Sequence, residues 1–207
     1  MVFFEPLFQQ TSGELCFLKA LEDKILREGS VLPGNILKVG NFLNHQVDAG
    51  FLMTMGEEIK NLFKEDKPTK ILTIETSGIP IAFAAAVKMQ VPMVFAKKNK
   101  SGNVSGDVLT AVIHSYTHGT DYTVIVEKQY LSPNDRVLIV DDFLANGKAL
   151  IGLIDIVKQS GAEIVGATVA IEKGFQGGGD ELRSQGIKVE SLAIIDNMAD
   201  GKITFRN

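Results

Sequence analysis

The stretch at residues 136–149, RVLIVDDFLANGKA, constrains this chain more than any other. Val137, Leu138, Ile139 and Val140 form a short continuous apolar run, the pattern of a strand buried on both faces of a parallel sheet. The run breaks off at Asp141 and Asp142, and open α/β sheets bind their ligands at the carboxyl ends of such strands. Side chains alternate along a strand, so one acid reaches a ligand while the other points elsewhere, unless the chain is already turning and brings both to the mouth. Ala145, Asn146 and Gly147 are small or turn-prone residues that let a backbone come close to a ligand. Lys148 and Ala149 then open a periodic apolar helix, whose unpaired first N–H groups and positive dipole end suit a phosphate. Vicinal hydroxyls at the acids and a phosphate at the loop describe a ribose 5-phosphate.

The 207 residues suffice for one α/β domain with a sizeable core and are too few for two. A hydrophobic share of 45% with 22% charged residues is that of an ordinary globular chain. The net charge of -4, with Lys and Arg scattered, provides no basic field for nucleic acid. Cys16 is the one cysteine, which excludes an internal disulfide and fits a reducing cytoplasm. No apolar run approaches the ~20 residues of a membrane span, and Glu5 and Pro6 interrupt the place where a secretory signal would build its apolar core. The expectation is a cytoplasmic enzyme or regulator with no membrane and no nucleic-acid partner.

Along the chain, residues 1–18 show no period, and a helix over 19–28 ends at Gly29. Residues 36–46 alternate as a short strand and then turn through polar residues. Leu52, Met55, Ile59 and Leu62 line one face of a helix over 51–63. A second strand, loop and helix unit follows: a buried strand over 70–74, a loop of Glu75, Thr76, Ser77 and Gly78, and a helix over 81–89. The next strand covers 91–96, and Lys97, Lys98 and Lys100 continue as a basic turn. Residues 101–106 are glycine-rich and polar, and 109–116 and 121–126 alternate like two antiparallel strands. After the helix over 149–159 and its stop at Gly161, a buried strand over 163–171 puts Glu172, Lys173, Gly174 and Phe175 on the ligand side. Gly177–Gly179 is expected to be a flexible turn, and 180–185 a short helix.

Four apolar residues, two acids, two apolar residues and a small-residue loop resemble the phosphoribosyl-pyrophosphate motif of the type I phosphoribosyltransferases. The other motifs follow in the family's order, and from residue 19 the similarity is to its bacterial xanthine branch. The resemblance implies an α/β fold with a mainly parallel central sheet flanked by helices, a small hood from both chain ends and a flexible lid. Relatives begin near position 18, so residues 1–18 are expected to be an extension outside the native domain, which would be 19–207. The implied reaction transfers 5-phosphoribosyl from phosphoribosyl pyrophosphate to N9 of xanthine, giving xanthosine 5′-phosphate and pyrophosphate.

By the same resemblance Asp141 and Asp142 are catalytic, and Ala145, Asn146, Gly147, Lys148, Ala149, Ser77, Gly78 and Lys98 bind phosphoribosyl pyrophosphate. Leu37, Asn44 and Lys173 face the base. Phe143 either stacks on the purine or belongs to the core. Ser115, Tyr116 and Thr117 match the lid tip, and Mg²⁺ would be held mainly by the substrate in a homodimer. Lys97 stands where many relatives have Arg, which puts a point charge in place of a bidentate fork. Ala145 stands where hypoxanthine and guanine enzymes carry an acid, which favours the adenine and xanthine branches and leaves no obvious side-chain base. A transferase for another purine, and a regulator that binds phosphoribosyl pyrophosphate without catalysis, are the other two readings.

Overall fold

The structure is a computed structural model that describes residues 19–98, 106–115 and 120–206. The expectations placed on residues 1–18, Lys100, 101–105, Tyr116 and Thr117 lie outside these. The described elements run α1 (Lys19–Glu28), β1 (Ser30–Leu32), β2 (Ile36–Lys38), a π-helical turn (Gly40–Asn44), α2 (Ala49–Phe63), β3 (Lys70–Ile74), α3 (Gly78–Met89), β4 (Met93–Lys98), β5 (Val108–Ser115) and β6 (Thr120–Glu127). They continue with β7 (Arg136–Leu144), α4 (Lys148–Ser160), β8 (Glu163–Lys173), α5 (Gly178–Ser184), β9 (Val189–Asn197) and β10 (Thr204–Phe205).

Eight strands make one sheet in the order β10-β9-β8-β7-β3-β4-β6-β5. The five from β9 to β4 are mutually parallel, and the antiparallel β6, β5 and β10 close its two edges. Alternation along β7 splits the core in two. Leu138 and Val140 face α2 and α3 through Met55, Ile59, Ile81 and Ala85, while Val137 and Ile139 face α4 through Leu150, Leu153 and Val157. The two helices of the first layer cross closely at Gly56, where a Cβ would lie 2.6 Å from the Ala84 backbone. The hood is the β1–β2 hairpin and the π-helical turn, while β10 at the other chain end belongs to the main sheet. Lys24 of α1 bonds Asp48 at 3.0 Å, and Asp48 in turn accepts the Phe51 N–H at the start of α2.

The α/β class with a mainly parallel sheet is observed, and several local expectations need correction. β7 does not stop at the acids; Phe143 and Leu144 still pair with Ile171 and Glu172 of β8. Lys97 and Lys98 are not in a turn but in the ladder of β4, opposite Ile125 and Val124. α3 begins at Gly78 rather than residue 81. Gly177–Gly179 is not a flexible turn, because Gly178 and Gly179 are buried in the first turn of α5. The strands β1, β9 and β10 are elements that the sequence analysis does not anticipate. No described helix is long and apolar enough to cross a membrane.

Candidate active site

The two acids at the end of β7 have different surroundings. Asp141 is 5% exposed, and its Oδ1 accepts the Asp142 N–H at 2.9 Å. It lies under the first residue of α3, since a Cβ on Gly78 would come within 2.6 Å of Asp141 Oδ1 and would also strike the Thr73 hydroxyl. That hydroxyl is buried and has no hydrogen-bond partner among the described residues. Burial pushes the Asp141 carboxyl well above the usual carboxylate range and the charge of Asp142 pushes it further, against the Asp142 N–H and the Lys98 ammonium. Asp142 is half-buried at the mouth, and its Oδ2 accepts from Asn44 Nδ2 of the hood at 3.2 Å.

The loop at residues 145–147 is held from behind by α5. Gly147, with φ of 79°, adopts the left-handed conformation that favours glycine. A Cβ there would be in ordinary van der Waals contact with the Gly178 carbonyl oxygen, 3.4 Å away, and with Leu182, so on this side it is the backbone conformation that demands glycine. The Gly178 N–H donates to the Ala145 carbonyl at 3.2 Å, and a Cβ on Gly178 would come within 2.5 Å of the backbone of Asn146 and Gly147. Asn146 Oδ1 accepts the Lys148 N–H at 3.3 Å. Lys148 also lines a groove of about 610 Å³ between α4 and β5, with Ile113, Asp155 and Leu182. Ala149 lies in the first turn of α4.

Behind the clamp, Glu172 is fully buried. It receives Arg183 Nη1 at 3.0 Å and Nη2 at 2.6 Å, and Ser191 Oγ at 2.5 Å. Gly179 is the residue that lets α5 come down onto this carboxylate, because a Cβ would lie 2.5 Å from Glu172 Cδ. Arg206 then ties α5 to β9 through Asp180 and Asp196, each at 3.0 Å.

On the hood side, Lys173 Nζ donates to the Asn35 carbonyl at 2.9 Å and sits 5.8 Å from the centre of the Phe143 ring. Burial lowers the pKa of Lys173. Phe143 is half-buried and packs against the hood-side core, while Leu37 is 8% exposed within that core. The structure thus brings Lys173 to Phe143 and Asn44 to Asp142, and makes Leu37 part of the supporting wall.

At the opposite end of the mouth, the Glu75–Thr76 peptide is cis. Ser77 stands at the N-cap of α3 without a capping bond from its side chain. Glu75 Oε1 accepts the Lys98 N–H at 2.6 Å and so ties this loop to β4. Lys98 Nζ lies 5.2 Å from the Tyr122 ring centre, and burial, with Asp141 second, raises the Tyr122 pKa. Lys97 turns away to a separate groove with Met93, Phe95 and Tyr130. Thr73, Glu75, Tyr122, Asn35 and the Gly178–Gly179 pair are absent from the sequence-based site. Only the glycine pair leaves a signal in the sequence, since the others are ordinary residues gathered by the fold.

The model of the phosphoribosyl transferase domain matches residues 45–200. The chain is 53% identical to the xanthine phosphoribosyltransferase of Lachnoclostridium phytofermentans, covering 91% of this chain and 98% of that protein. It is 48% identical to that of Bacillus licheniformis, with 91% and 97% covered. Among solved structures, adenine phosphoribosyltransferase from Giardia lamblia in complex with 9-deazaadenine aligns at a TM-score of 0.72 and 23% identity, covering 84% of this chain and 96% of that one. The enzyme from Trypanosoma brucei, solved with AMP, pyrophosphate and ribose-5-phosphate, aligns at 0.70 and 17%, with 84% and 78% covered. At these identities the structural likeness speaks for the fold alone.

Proposed function

Because the chain belongs to the phosphoribosyltransferase family, we propose that it transfers the 5-phosphoribosyl group of phosphoribosyl pyrophosphate to N9 of xanthine, yielding xanthosine 5′-phosphate and pyrophosphate. The choice of xanthine rests on about 50% identity, over 91% of the chain, to relatives named for that activity. The observation that carries the site is the acid pair between a glycine-clamped helix N-terminus and two donors, Asn44 of the hood and Lys173 at the end of β8.

Departure of pyrophosphate leaves positive charge on the ribose ring, so the protein must hold the ring, neutralise the leaving group and keep water out. In this reading the Asp142 carboxylate accepts from a ribose hydroxyl at the mouth, and Asp141 supports it from beneath. The N–H groups of the 145–149 loop receive the 5-phosphate. Ser77, Gly78 and Lys98 receive the pyrophosphate, and the β5–β6 hairpin is the base of the lid. The carboxylates at the mouth are hard oxygen donors that suit Mg²⁺, which keeps waters and needs few protein ligands when a pyrophosphate supplies the rest. Bound there, it would offset charge on the departing pyrophosphate. With Ala145 at the loop, loss of the N9 proton is left to the acidity of xanthine or to water. We place the enzyme in the cytoplasm.

A homodimer belongs to the same proposal. Phe83 and Val87, one turn apart on α3, are 58% and 46% exposed, an apolar face that a second copy would cover. Sedimentation equilibrium is expected to give twice the chain mass, and a monomer at micromolar concentration would remove the assignment.

Incubation with phosphoribosyl pyrophosphate, Mg²⁺ and each of xanthine, guanine, hypoxanthine and adenine tests the function, with xanthine expected as the best acceptor. Turnover of none would favour a binding regulator, and preference for another purine would reassign the substrate. Xanthine has carbonyls at C2 and C6, and we assign Asn44 to the first and Lys173 to the second. Asn44→Leu should then reduce the preference for xanthine over hypoxanthine by about five- to a hundredfold, the worth of one donor left unpaired in a dry site. Lys173→Met should depress kcat/KM for both. Equal losses on the two purines in Asn44→Leu would make Asn44 a structural residue of the hood.

A further inference from the structure

The contact between Asn44 Nδ2 and Asp142 Oδ2, 3.2 Å across the mouth, fixes more than the position of the hood. A carboxylate only accepts hydrogen bonds, whereas a side-chain amide presents NH₂ at one corner and a carbonyl oxygen at the other. The contact therefore determines which way round the Asn44 amide stands. Turned by a half-rotation, Asn44 would set its own oxygen against Asp142 Oδ2, two acceptors with no proton between them. Asp142 has little freedom to withdraw. Its N–H is bonded to Asp141 Oδ1 at 2.9 Å, and the neighbouring residue Phe143 is in register with Ile171 of β8.

We propose that Asp142, besides meeting the ribose, is a positioning residue for base selection, which locks the Asn44 amide with its remaining N–H toward purine C2 and so excludes guanine. This rests on the proposed function, in which Asn44 faces C2. Xanthine carries a carbonyl there and accepts the N–H. Guanine carries an amine, so a donor would meet a donor, and only the half-rotation that Asp142 opposes would relieve it. The lock survives substrate binding, because ribose hydroxyls donate to the carboxylate and leave it an acceptor with sites to spare. One carboxylate then serves the sugar and the choice of base.

Asp142→Asn tests this, because an asparagine can turn its own NH₂ toward a rotated Asn44. The readout is the ratio of kcat/KM for guanine to that for xanthine, in which any loss at the ribose cancels because both reactions share one phosphoribosyl donor. That ratio should rise at least about tenfold, even as both rates fall. In an Asn44→Leu background the same change should leave the ratio where Asn44→Leu alone puts it. Calorimetric affinities for the nucleotides XMP and GMP provide the same ratio if turnover is too slow. A ratio unchanged by Asp142→Asn, while Asn44→Leu shifts the xanthine-to-hypoxanthine preference, overturns the lock and spares the base assignment. If Asn44→Leu shifts neither preference, the base assignment falls and takes the lock with it.

Discussion

Arg183→Leu is expected to lower the free energy of unfolding by about 3–5 kcal/mol, the usual consequence of stripping the partner from a buried charge. Glu172 is fully buried, and the Arg183 guanidinium meets both of its oxygens. After the substitution only Ser191 Oγ remains among its recorded side-chain partners. Since α5 also presses Gly178 against the loop at residues 145–147, which the proposed function assigns to the 5-phosphate, the variant should in addition bind phosphoribosyl pyrophosphate less tightly. Urea unfolding followed by far-UV circular dichroism measures the first effect. A loss below about 1 kcal/mol, the range of exposed pairs, would show that this pair is not the anchor of α5.

Asp141→Asn should divide stability from activity. The folded-state pKa of Asp141 is raised, chiefly by burial, so folding disfavours its ionised form. That penalty is complete above the folded pKa, shrinks as pH falls through it, and vanishes below the unfolded value of about 3.9. An asparagine keeps the acceptor for the Asp142 N–H and cannot ionise. The variant should consequently melt at the same or a higher temperature than the parent at neutral pH, with the gain disappearing toward pH 4. Turnover should move the other way. Asp141 meets the Asp142 N–H and not the ribose itself, so altering the support beneath Asp142 should lower kcat/KM by roughly tenfold, about 1.4 kcal/mol. A melting series from pH 4 to 8 together with steady-state kinetics covers both halves. A lower melting temperature at neutral pH would place the buried carboxyl among the stabilising groups, and undiminished kcat/KM would remove it from the site.

The central motif was legible because its causes are local. A four-residue apolar run identifies a buried strand, whereas alternation leaves open whether both acids reach the mouth, and the structure separates a buried Asp141 from a half-buried Asp142. The small, turn-prone character of Ala145, Asn146 and Gly147 is likewise local, while the left-handed conformation of Gly147 comes from the structure. The α/β class follows from the recurrence of strand, loop and helix units. The boundaries misplaced at β4, β7 and α3 lie where neighbouring strands or loops extend an element past its local pattern. Lys97 and Lys98 form ladder pairs only because β6 returns beside them.

What the sequence by itself determined is the set of parts in which each residue answers to its immediate neighbours: the acid pair after a buried apolar run, the small-residue loop, and the helix that follows it. What only the tertiary structure decided is how residues far apart in the chain constrain one another. Asn44 and Asp142 lie 98 positions apart, and Lys173 and Asn35 lie 138 apart. The glycine pair that resembles a flexible turn is buried in α5, and the backbone of residues 145–147 and a buried carboxylate occupy the space where its side chains would be. Hydrophobic periodicity is a property of one segment, whereas hydrogen-bond direction and steric exclusion across a mouth exist only once the segments are packed.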